Sequence, residues 1–316
     1  PFSQTAISYI KEVQIPYTRV PGFGKVQRND VVVFNFPAGD TIINLPGYGS
    51  AQPYYDILRF QFNGNREALM AEYPIAVHPY DKTDNYIKRC VAVPGDLVQI
   101  KQGQLFVNGQ PGFQPQESQT EYIVATKGTP LTPDFIKKEL NIDIDVNDGQ
   151  IELVNNNPNL YKINLTPGLA EKLTKQANIA SVKLVSDSTF GITFPFDTQH
   201  FRWSLDNFGP LKIPAKGDKI TLTDSTIALY ERLITNYEGH SLTKQGNNQF
   251  LIDGQLATTY TIQQDYYWMM GDNRHRSQDS RFWGFVPETH IVGKASLIWL
   301  SWENGPRFKR IFKAIH

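Results

Sequence analysis

Short runs of β-branched and aromatic residues alternate with turn residues along most of the chain, and this pattern predicts a mainly β protein with a few helices. Residues 28–37 form one such run, which follows a polar turn and is stopped by a proline. A second run covers residues 86–93 and is closed by Pro-Gly-Asp at residues 94–96. Residues 98–107 then lead into an Asn108-Gly109 pair, which predicts a tight hairpin turn.

Apolar residues at helical spacing predict three helices in the middle of the chain. The first helix follows the pair Thr132-Pro133 and runs to Leu140. The second helix follows the pair Thr166-Pro167, in which the threonine is the expected N-cap and the proline the first helical residue. The third helix is expected to begin near Asp224 and to end at Gly239. These apolar stripes are predicted to face a core. The residues that define the helices are Thr132, Pro133 and Phe135; Thr166, Pro167 and 169–176; and Ile227, Tyr230, Leu233, Ile234 and Tyr237.

Two stretches repeat a similar pattern of turn and strand. Residues 249–255 mirror residues 104–110, and residues 213–222 resemble the Pro-Gly-Asp turn with its following strand. One interpretation is an inserted module at residues 113–248, rebuilt around a similar hairpin, within a discontinuous core of residues 1–112 plus 249–316. Chance similarity is the alternative, because Asn-Gly and Asp-Gly turns are common wherever hairpins occur.

The composition argues against several classes of protein. Lys plus Arg and Asp plus Glu both number 31, so no field of one sign covers the molecule and nucleic-acid binding is not expected. A single cysteine, Cys90, excludes an internal disulfide and a cysteine-based zinc site, and no metal or other cofactor is predicted. No apolar run approaches the roughly 18 to 20 residues of a membrane span. Because the chain starts at Pro1, without an initiator Met, we expect a trimmed and soluble piece of a longer protein.

The segment with the densest candidate chemistry covers residues 267–287. An aromatic strand leads into a polar loop, and the chain then returns to a second aromatic stretch. Asp272, Asn273, Asp279 and Arg281 can bond backbone groups and one another, so the loop is predicted to hold one shape. A purely structural turn would explain most of these residues as well.

A lysine occupies an unusual position on the strand at residues 86–93. Alternation places Lys88 on one face together with Tyr86, Cys90 and Ala92, among aromatic and small apolar neighbours. One interpretation is a lysine that extends from the strand edge to solvent. The other is a buried amine, since burial lowers the pKa of a lysine from its usual value of about 10.4 and leaves a competent general base.

Three segments, in their order, resemble conserved boxes of the bacterial type I signal peptidases, a family of serine/lysine membrane proteases. They are residues 28–37; residues 86–96, with Tyr-Ile-Lys-Arg and Pro-Gly-Asp; and residues 271–287, with Gly-Asp-Asn-Arg and Ser-x-Asp-Ser-Arg-Phe-x-Gly. A Gly-Lys-Ala sequence at 293–295 follows as in that family. The resemblance implies a signal-peptidase-like antiparallel β-sheet or barrel core, with the inserted β-rich module carrying the helices.

The resemblance also implies roles for individual residues. Lys88 matches the general base of the serine/lysine dyad, and Ser277 matches the hydroxyl that hydrogen-bonds and orients that lysine. Asp279 and Arg281 resemble a supporting ion pair, and Asp272 resembles a loop anchor. A signal peptide would lie extended in a groove and add a strand to the sheet. The residues that match groove positions are Val33, Tyr86 and Ile87.

The chain departs from the family pattern at the nucleophile. A Ser-Met-x-Pro motif should precede Arg28, and the sequence contains none. We therefore expect residues 1–316 alone to be inactive. Residues 49–53, Gly-Ser-Ala-Gln-Pro, mimic the spacing but follow the first box instead of preceding it. His275 stands where many relatives have an acidic residue, which indicates variation in the loop more than a new catalytic role.

The implied partners are the signal peptides of exported preproteins and a membrane lipid surface. The implied location is the outer, periplasmic face of the cytoplasmic membrane. In the tail, Phe308, Ile311, Phe312 and Ile315 fall at helical spacing among basic residues, which suits an anionic surface. Packing of the tail on the rest of the chain is the alternative.

Two other functions are compatible with parts of the sequence. A repressor-type self-cleaving serine/lysine protease would use the same dyad, although the loop at residues 271–287 and the large insert argue against it. A non-catalytic module that holds extended peptides would fit the absence of the nucleophile motif. The sequence upstream of Pro1 would separate the enzyme from the binding module.

Overall fold

The computed structural model describes residues 22, 24–37, 39, 41–77, 80–142, 149–302 and 305–315. Most of the regular structure is β-strand, arranged in several antiparallel sheets. The predicted mainly β, β-rich α+β class is therefore confirmed. Residues 1–21, which the sequence assigns to the discontinuous core, lie outside the described residues.

The strands are β1 (Val31–Asn35), β2 (Thr41–Ile43), β3 (Ile75–Val77), β4 (Asn85–Ala92), β5 (Leu97–Lys101), β6 (Gln104–Val107), β7 (Gln110–Pro111), β8 (Thr120–Thr126), β9 (Ile151–Leu153), β10 (Leu160–Leu165), β11 (Ile179–Leu184), β12 (Phe208–Lys212), β13 (Lys219–Thr221), β14 (Leu242–Gly246), β15 (Gln249–Ile252), β16 (Gln255–Ala257), β17 (Thr259–Thr261), β18 (Tyr266–Met270), β19 (Val286–Pro287), β20 (Ile291–Lys294), β21 (Leu297–Ile298) and β22 (Lys313–Ala314). The helices are α1 (Tyr54–Phe60), α2 (Arg66–Glu72), α3 (Pro133–Glu139), α4 (Pro167–Thr174), α5 (Asp224–Arg232) and α6 (Ser280–Trp283).

The chain forms two compact units, and the first contains the strand of Lys88. Its main sheet has five strands in the order β19-β18-β4-β1-β20. The central strand β4 pairs antiparallel with β1, so that Phe34 lies opposite Tyr86. Because alternate residues of a strand share a face, Val32, Phe34 and Cys90 meet in one buried apolar cluster. This first unit comprises Pro1–Gly95, Ile213–Met269 and Trp283–His316.

The second unit contains the polar loop of the third box. It has one sheet in the order β11-β8-β10-β9 and another in the order β12-β5-β6-β7. Buried residues of β8, β10, β11, α3 and α4 form its main apolar core, which includes Ile163 and Leu173. This second unit comprises Asp96–Lys212 and Met270–Phe282. The predicted boundaries at residues 113 and 248 stay a prediction.

The three predicted helices are present. Thr132 caps α3, and Thr166 caps α4; each side chain accepts a hydrogen bond from the backbone three residues on, at 3.2 and 3.3 Å. Thr223 caps α5, which passes into a π-helical turn over Leu233–Tyr237. Gly239 then ends the helical segment with a positive φ of 76°, as its sequence position predicts.

Two short helices near the start of the chain were not predicted. α1 and α2 lie between β2 and β3, in a stretch that glycine and proline mark as turn-rich. The sequence signal for α2 is Asn65, whose side chain accepts a hydrogen bond from Ala68 N at 3.0 Å as an N-cap. Residues of both helices and of β2 form a separate small apolar cluster.

The tail residues that fall at helical spacing do not form a helix. The described tail has a 3₁₀ turn at Phe308–Arg310, and β22 then pairs with β21. Phe312 N donates to Ile298 O at 2.6 Å, so a neighbouring strand satisfies backbone groups that a helix would satisfy locally. The apolar spacing of the tail therefore does not report a helical face.

The mirrored sequences form the same kind of hairpin. At Asn108-Gly109 the φ angles are 53° and 77°, and at Asp253-Gly254 they are 51° and 80°. Positive φ at both central residues is the type I′ turn that matches the strand twist. The similarity therefore extends to the backbone, while the origin of the module stays a prediction.

Candidate active site

Lys88 lies within β4, and it is half-buried. Its cross-strand partner is Val32, which is fully buried, so both side chains belong to the face that carries the apolar cluster. The Nζ atom of Lys88 lies 5.4 Å from the centroid of the Tyr86 ring. The amine of Lys88 therefore lies against the face of an aromatic ring.

An aromatic cluster fixes the ring that Lys88 approaches. The Tyr86 ring meets Trp283 edge-on at 5.4 Å between centroids and lies 5.0 Å from Phe36. Trp283 and Phe36 in turn meet each other edge-on at 5.4 Å. Edge-to-face aromatic pairs each add about 0.5–1.5 kcal/mol beyond the area they bury. Aromatic packing therefore holds the ring that the lysine faces.

The three predicted groove residues lie on both faces of the sheet. Val33 and Ile87 are cross-strand partners on the face opposite to Lys88, and 51% of Ile87 is exposed. The other neighbour of Val33 is Gly293 on β20, where an added Cβ would meet no described atom within 4 Å. That face is therefore open at this point, whereas Tyr86 belongs to the aromatic cluster on the other face.

The loop that mimics the nucleophile motif contacts the residue beside Lys88. The Tyr86 hydroxyl donates to Ser50 O at 3.4 Å, and Ser50 N donates to the Asp84 carboxylate at 3.3 Å. Ser50 is half-buried. Ser50 is disfavoured as a nucleophile only by its position after the first box. Because the structure brings Ser50 into contact with Tyr86, its hydroxyl has to be tested directly.

In the second unit, Asp279 and Arg281 form a buried and bidentate ion pair. Arg281 Nε donates to one carboxylate oxygen at 2.9 Å, and Nη2 donates to the other at 2.8 Å. The two side chains are 0% and 1% exposed. Although burial opposes the charged guanidinium, the carboxylate of Asp279 keeps the pKa of Arg281 above its ordinary value. The pair ties the loop together.

The same ion pair closes the loop on itself. Asp279 also accepts from Gly271 N at 3.1 Å, and Arg281 Nη2 donates to Arg274 O at 2.5 Å. The start and the end of the loop are thereby held to one charged centre. Ser277 is nearly buried within this loop, and its hydroxyl donates a long hydrogen bond of 3.4 Å to Gln278 O. A bond of that length is weak.

Sequence reasoning missed the residue that holds the other side of the loop. Gln119 N donates to Asp272 O at 2.9 Å, and Arg274 N donates to Gln119 O at 2.7 Å. The Gln119 side-chain oxygen accepts from Asn273 Nδ2 at 3.2 Å. Asp272, the predicted anchor, is half-buried and takes part in this contact through its carbonyl oxygen. No local motif marks Gln119, because its partners lie more than 150 residues further along the chain.

The described residues outside this loop offer few other candidates for chemistry. Cys90 is fully buried on the core face of β4. Across the described ranges, no three His, Cys, Asp or Glu side chains converge as metal ligands would. Every helix within the described part of the chain is too short or too polar to cross a bilayer.

Comparison with known families places the chain in a class of proteases. The model of the family described as signal peptidase, peptidase S26, matches residues 5–159 and 210–302, which together exceed half of the chain. The chain belongs to the peptidase S26 family of signal peptidases.

Individual relatives match parts of the chain. Signal peptidase I of Haemophilus influenzae is 38% identical over 109 residues, which are 32% of this chain and 30% of that protein. Signal peptidase I of Buchnera aphidicola subsp. Baizongia pistaciae is 25% identical over 241 residues, which are 74% of this chain and 58% of that protein. Signal peptidase I of Aquifex aeolicus is 57% identical over 46 residues, 15% of this chain and 18% of that protein. Each match spans less than two thirds of the relative's length.

Proposed function

We propose that this chain is the catalytic part of a type I signal peptidase, a serine endopeptidase that removes signal peptides from exported preproteins. The proposal is carried by one observation: within a chain of this family, Lys88 is half-buried on the core face of a central strand, against an aromatic ring. A lysine that is partly removed from water can supply a neutral amine near pH 7.

In the proposed mechanism, Nζ of Lys88 takes the proton from a serine hydroxyl while that oxygen attacks the carbonyl carbon of the scissile bond. The peptide C–N bond breaks, the leaving amine takes the proton, and an ester joins the signal peptide to the serine. Water, activated by the same lysine, then hydrolyses the ester. The hydroxyl of Ser277 is proposed to hydrogen-bond and orient the lysine amine. No cofactor is needed for these steps.

Signal peptides are proposed to bind in an extended conformation near the residues that match groove positions, Val33, Tyr86 and Ile87. Of these, Tyr86 shares the face of the sheet that carries Lys88, and Val33 and Ile87 form an apolar cross-strand pair. The nucleophile is proposed to belong to a Ser-Met-x-Pro motif, which residues 1–316 do not contain. Residues 1–316 alone are therefore expected to cleave no preprotein, because the nucleophile and part of the oxyanion hole would be missing together.

A cleavage assay with the full-length natural protein tests the role of Lys88. Replacement Lys88→Ala is expected to reduce preprotein cleavage by at least about 100-fold, because general-base catalysis typically contributes that much or more. Lys101→Ala is the matched control. Lys101 is also a strand lysine, with Nζ 5.5 Å from the centroid of the Phe106 ring, but it is exposed. Cleavage by Lys88→Ala at the wild-type rate would overturn the proposal.

The same assay identifies the nucleophile. Cleavage by residues 1–316 without any upstream sequence would contradict the proposal of a missing serine. If that activity were then lost in Ser50→Ala, the nucleophile would be Ser50. The proposed outcome is no cleavage by residues 1–316 and full cleavage by Ser50→Ala in the natural protein.

The proposed site of action is the outer face of the cytoplasmic membrane, where signal peptides emerge after translocation. Four aromatic side chains near the end of the chain are more than two thirds exposed, and basic residues stand beside them. Such a surface suits an anionic bilayer. The four are Trp299, Trp302, Phe308 and Phe312. Equal binding to anionic vesicles with and without residues 306–316 would contradict a role for the tail.

A non-catalytic peptide-binding module is the second candidate function. The exposed side chain of Ile87 favours it, since apolar contacts with an extended peptide give affinity without chemistry. Binding of a signal peptide by the natural protein, with no cleavage under any condition, would establish this function instead.

A further inference from the structure

The imidazole of His275 lies almost completely buried in the second unit, and each of its nitrogens has a partner. Glu121 N donates to Nδ1 at 3.1 Å, and Thr120 Oγ1 lies 2.8 Å from the same nitrogen. Nε2 lies 2.9 Å from Asp206 Oδ2, and the two side chains are only 5% and 3% exposed. A side chain in the loop is therefore held from two other segments of the chain.

The partners define the tautomer. A backbone N–H can only donate, so Nδ1 must offer its lone pair to Glu121. The proton of the neutral imidazole consequently sits on Nε2 and points at the carboxylate of Asp206. Because the acceptor is charged, this hydrogen bond belongs to the stronger class.

Asp206 is itself fixed. Its Oδ2 atom accepts from Asp187 N at 2.6 Å, and its carbonyl oxygen accepts from Gly103 N at 2.9 Å. Gly103 lies in the turn between β5 and β6, so the carboxylate is attached to regular structure. The His275 ring therefore connects the loop to a rigid support.

We propose that His275 is a positioning residue for the peptidase reaction: with Asp206 and Glu121 it fixes the loop that carries Ser277, two residues further on. The loop is thereby clamped from two sides, by the Gln119 backbone before His275 and by the Asp279–Arg281 pair after Ser277. Residues 96–212 then act as the support of a catalytic segment. This inference rests on the proposed function, because only that function gives the position of Ser277 a role.

Preprotein cleavage by the natural protein tests the inference. His275→Ala is expected to lower kcat by about 10- to 100-fold with KM nearly unchanged, since a displacement of about 1 Å can have that effect while substrate contacts stay intact. His275→Asn should recover part of the loss, because its oxygen can still accept from Glu121 N–H. The control is His200→Ala, which removes an exposed His–Asp pair of the same unit, with a 2.6 Å contact to Asp197, and should leave kcat unchanged.

A second readout does not depend on activity. In residues 1–316, ¹⁵N spectra of the His275 imidazole are expected to show the Nε2–H tautomer, and Asp206→Asn should accelerate amide exchange at Arg274. If His275→Ala does not fold, Asp206→Asn takes its place in the cleavage assay, with an expected loss of about 10-fold in kcat.

The outcomes are distinct. Unchanged kcat in a folded His275→Ala or Asp206→Asn variant would overturn the inference, as would an Nδ1–H tautomer. A loss of kcat in His200→Ala equal to that in His275→Ala would also overturn it, because the effect would then be general destabilisation. If the wild-type natural protein cleaves no preprotein while the tautomer and exchange results are as expected, the proposed function fails and the loop clamp stands.

Discussion

The two segments that carry the candidate catalytic residues are held by different forces. The strand of Lys88 is fixed by aromatic and aliphatic packing around Tyr86 and Trp283. The loop of Ser277 is fixed by a buried ion pair and by hydrogen bonds to distant backbone groups. Apolar packing is non-directional and tolerates substitutions of similar size, whereas a buried polar network fails when one partner is removed. The difference predicts how each segment responds to mutation.

The largest effect is expected from the ion pair of the loop. Arg281→Met leaves the carboxylate of Asp279 buried without its charged partner, and such a change typically destabilises by about 3–5 kcal/mol. Urea unfolding, followed by a probe in the second unit, measures it. Lys172→Met is the control, since its pair with Glu139 is exposed and should contribute about 0–1 kcal/mol. Equal effects of the two variants would remove the distinction between buried and exposed pairs.

A smaller effect is expected from the apolar strand. Phe34→Leu reduces a fully buried side chain but keeps it apolar, so we expect a loss of about 1–2 kcal/mol in the free energy of unfolding. The same denaturation experiment measures it. A loss as large as that of Arg281→Met would show that the strand is no more tolerant than the loop.

A polar bond away from the loop should matter less than the ion pair. Thr166→Ala removes the N-cap of α4, whose oxygen accepts from Leu169 N, and should cost about 1 kcal/mol. Thr166→Ser retains an oxygen and should recover most of the loss. If Thr166→Ala destabilised the second unit as strongly as Arg281→Met, burial of charge would not explain the sensitivity of the loop.

The smallest effect concerns pH and the half-buried carboxylate of Asp197. Although burial alone would raise it, the hydrogen bond from His200 lowers the pKa of Asp197. A carboxylate with a lowered folded-state pKa stabilises the fold above its unfolded pKa, near 3.9, and loses that contribution as pH falls through the folded value. Asp197→Asn should therefore flatten the plot of unfolding free energy against pH only below about pH 4. A slope that changes only near neutral pH would contradict this sign.

The elements that local patterns define were predicted well from the sequence. Caps such as Thr132 and Thr166, and the Asn108-Gly109 turn, act within a few residues, so their signals are local. The helical spacing of the tail was misleading because strand pairing with residues 297–298 satisfies its backbone groups instead. Tertiary pairing overrode the local pattern there.

The surroundings of the loop could not be predicted for a different reason. Its supports, Gln119 and Asp206, are 154 and 69 residues away from their partners in the chain and belong to no motif. For His275, only the structure shows the carboxylate that it meets. Resemblance to a family made Lys88 and Ser277 candidates, but the groups that hold their segments come from tertiary contacts.

The most direct test of the central claim is a crystal structure of the full-length natural protein. The proposed role of Ser277 in orienting the lysine predicts a distance of about 2.7–3.2 Å between the Nζ atom of Lys88 and the Oγ atom of Ser277. A well-ordered structure in which these two atoms lie far apart, with the amine fully hydrated, would contradict the claim that Lys88 acts as the general base of a peptidase.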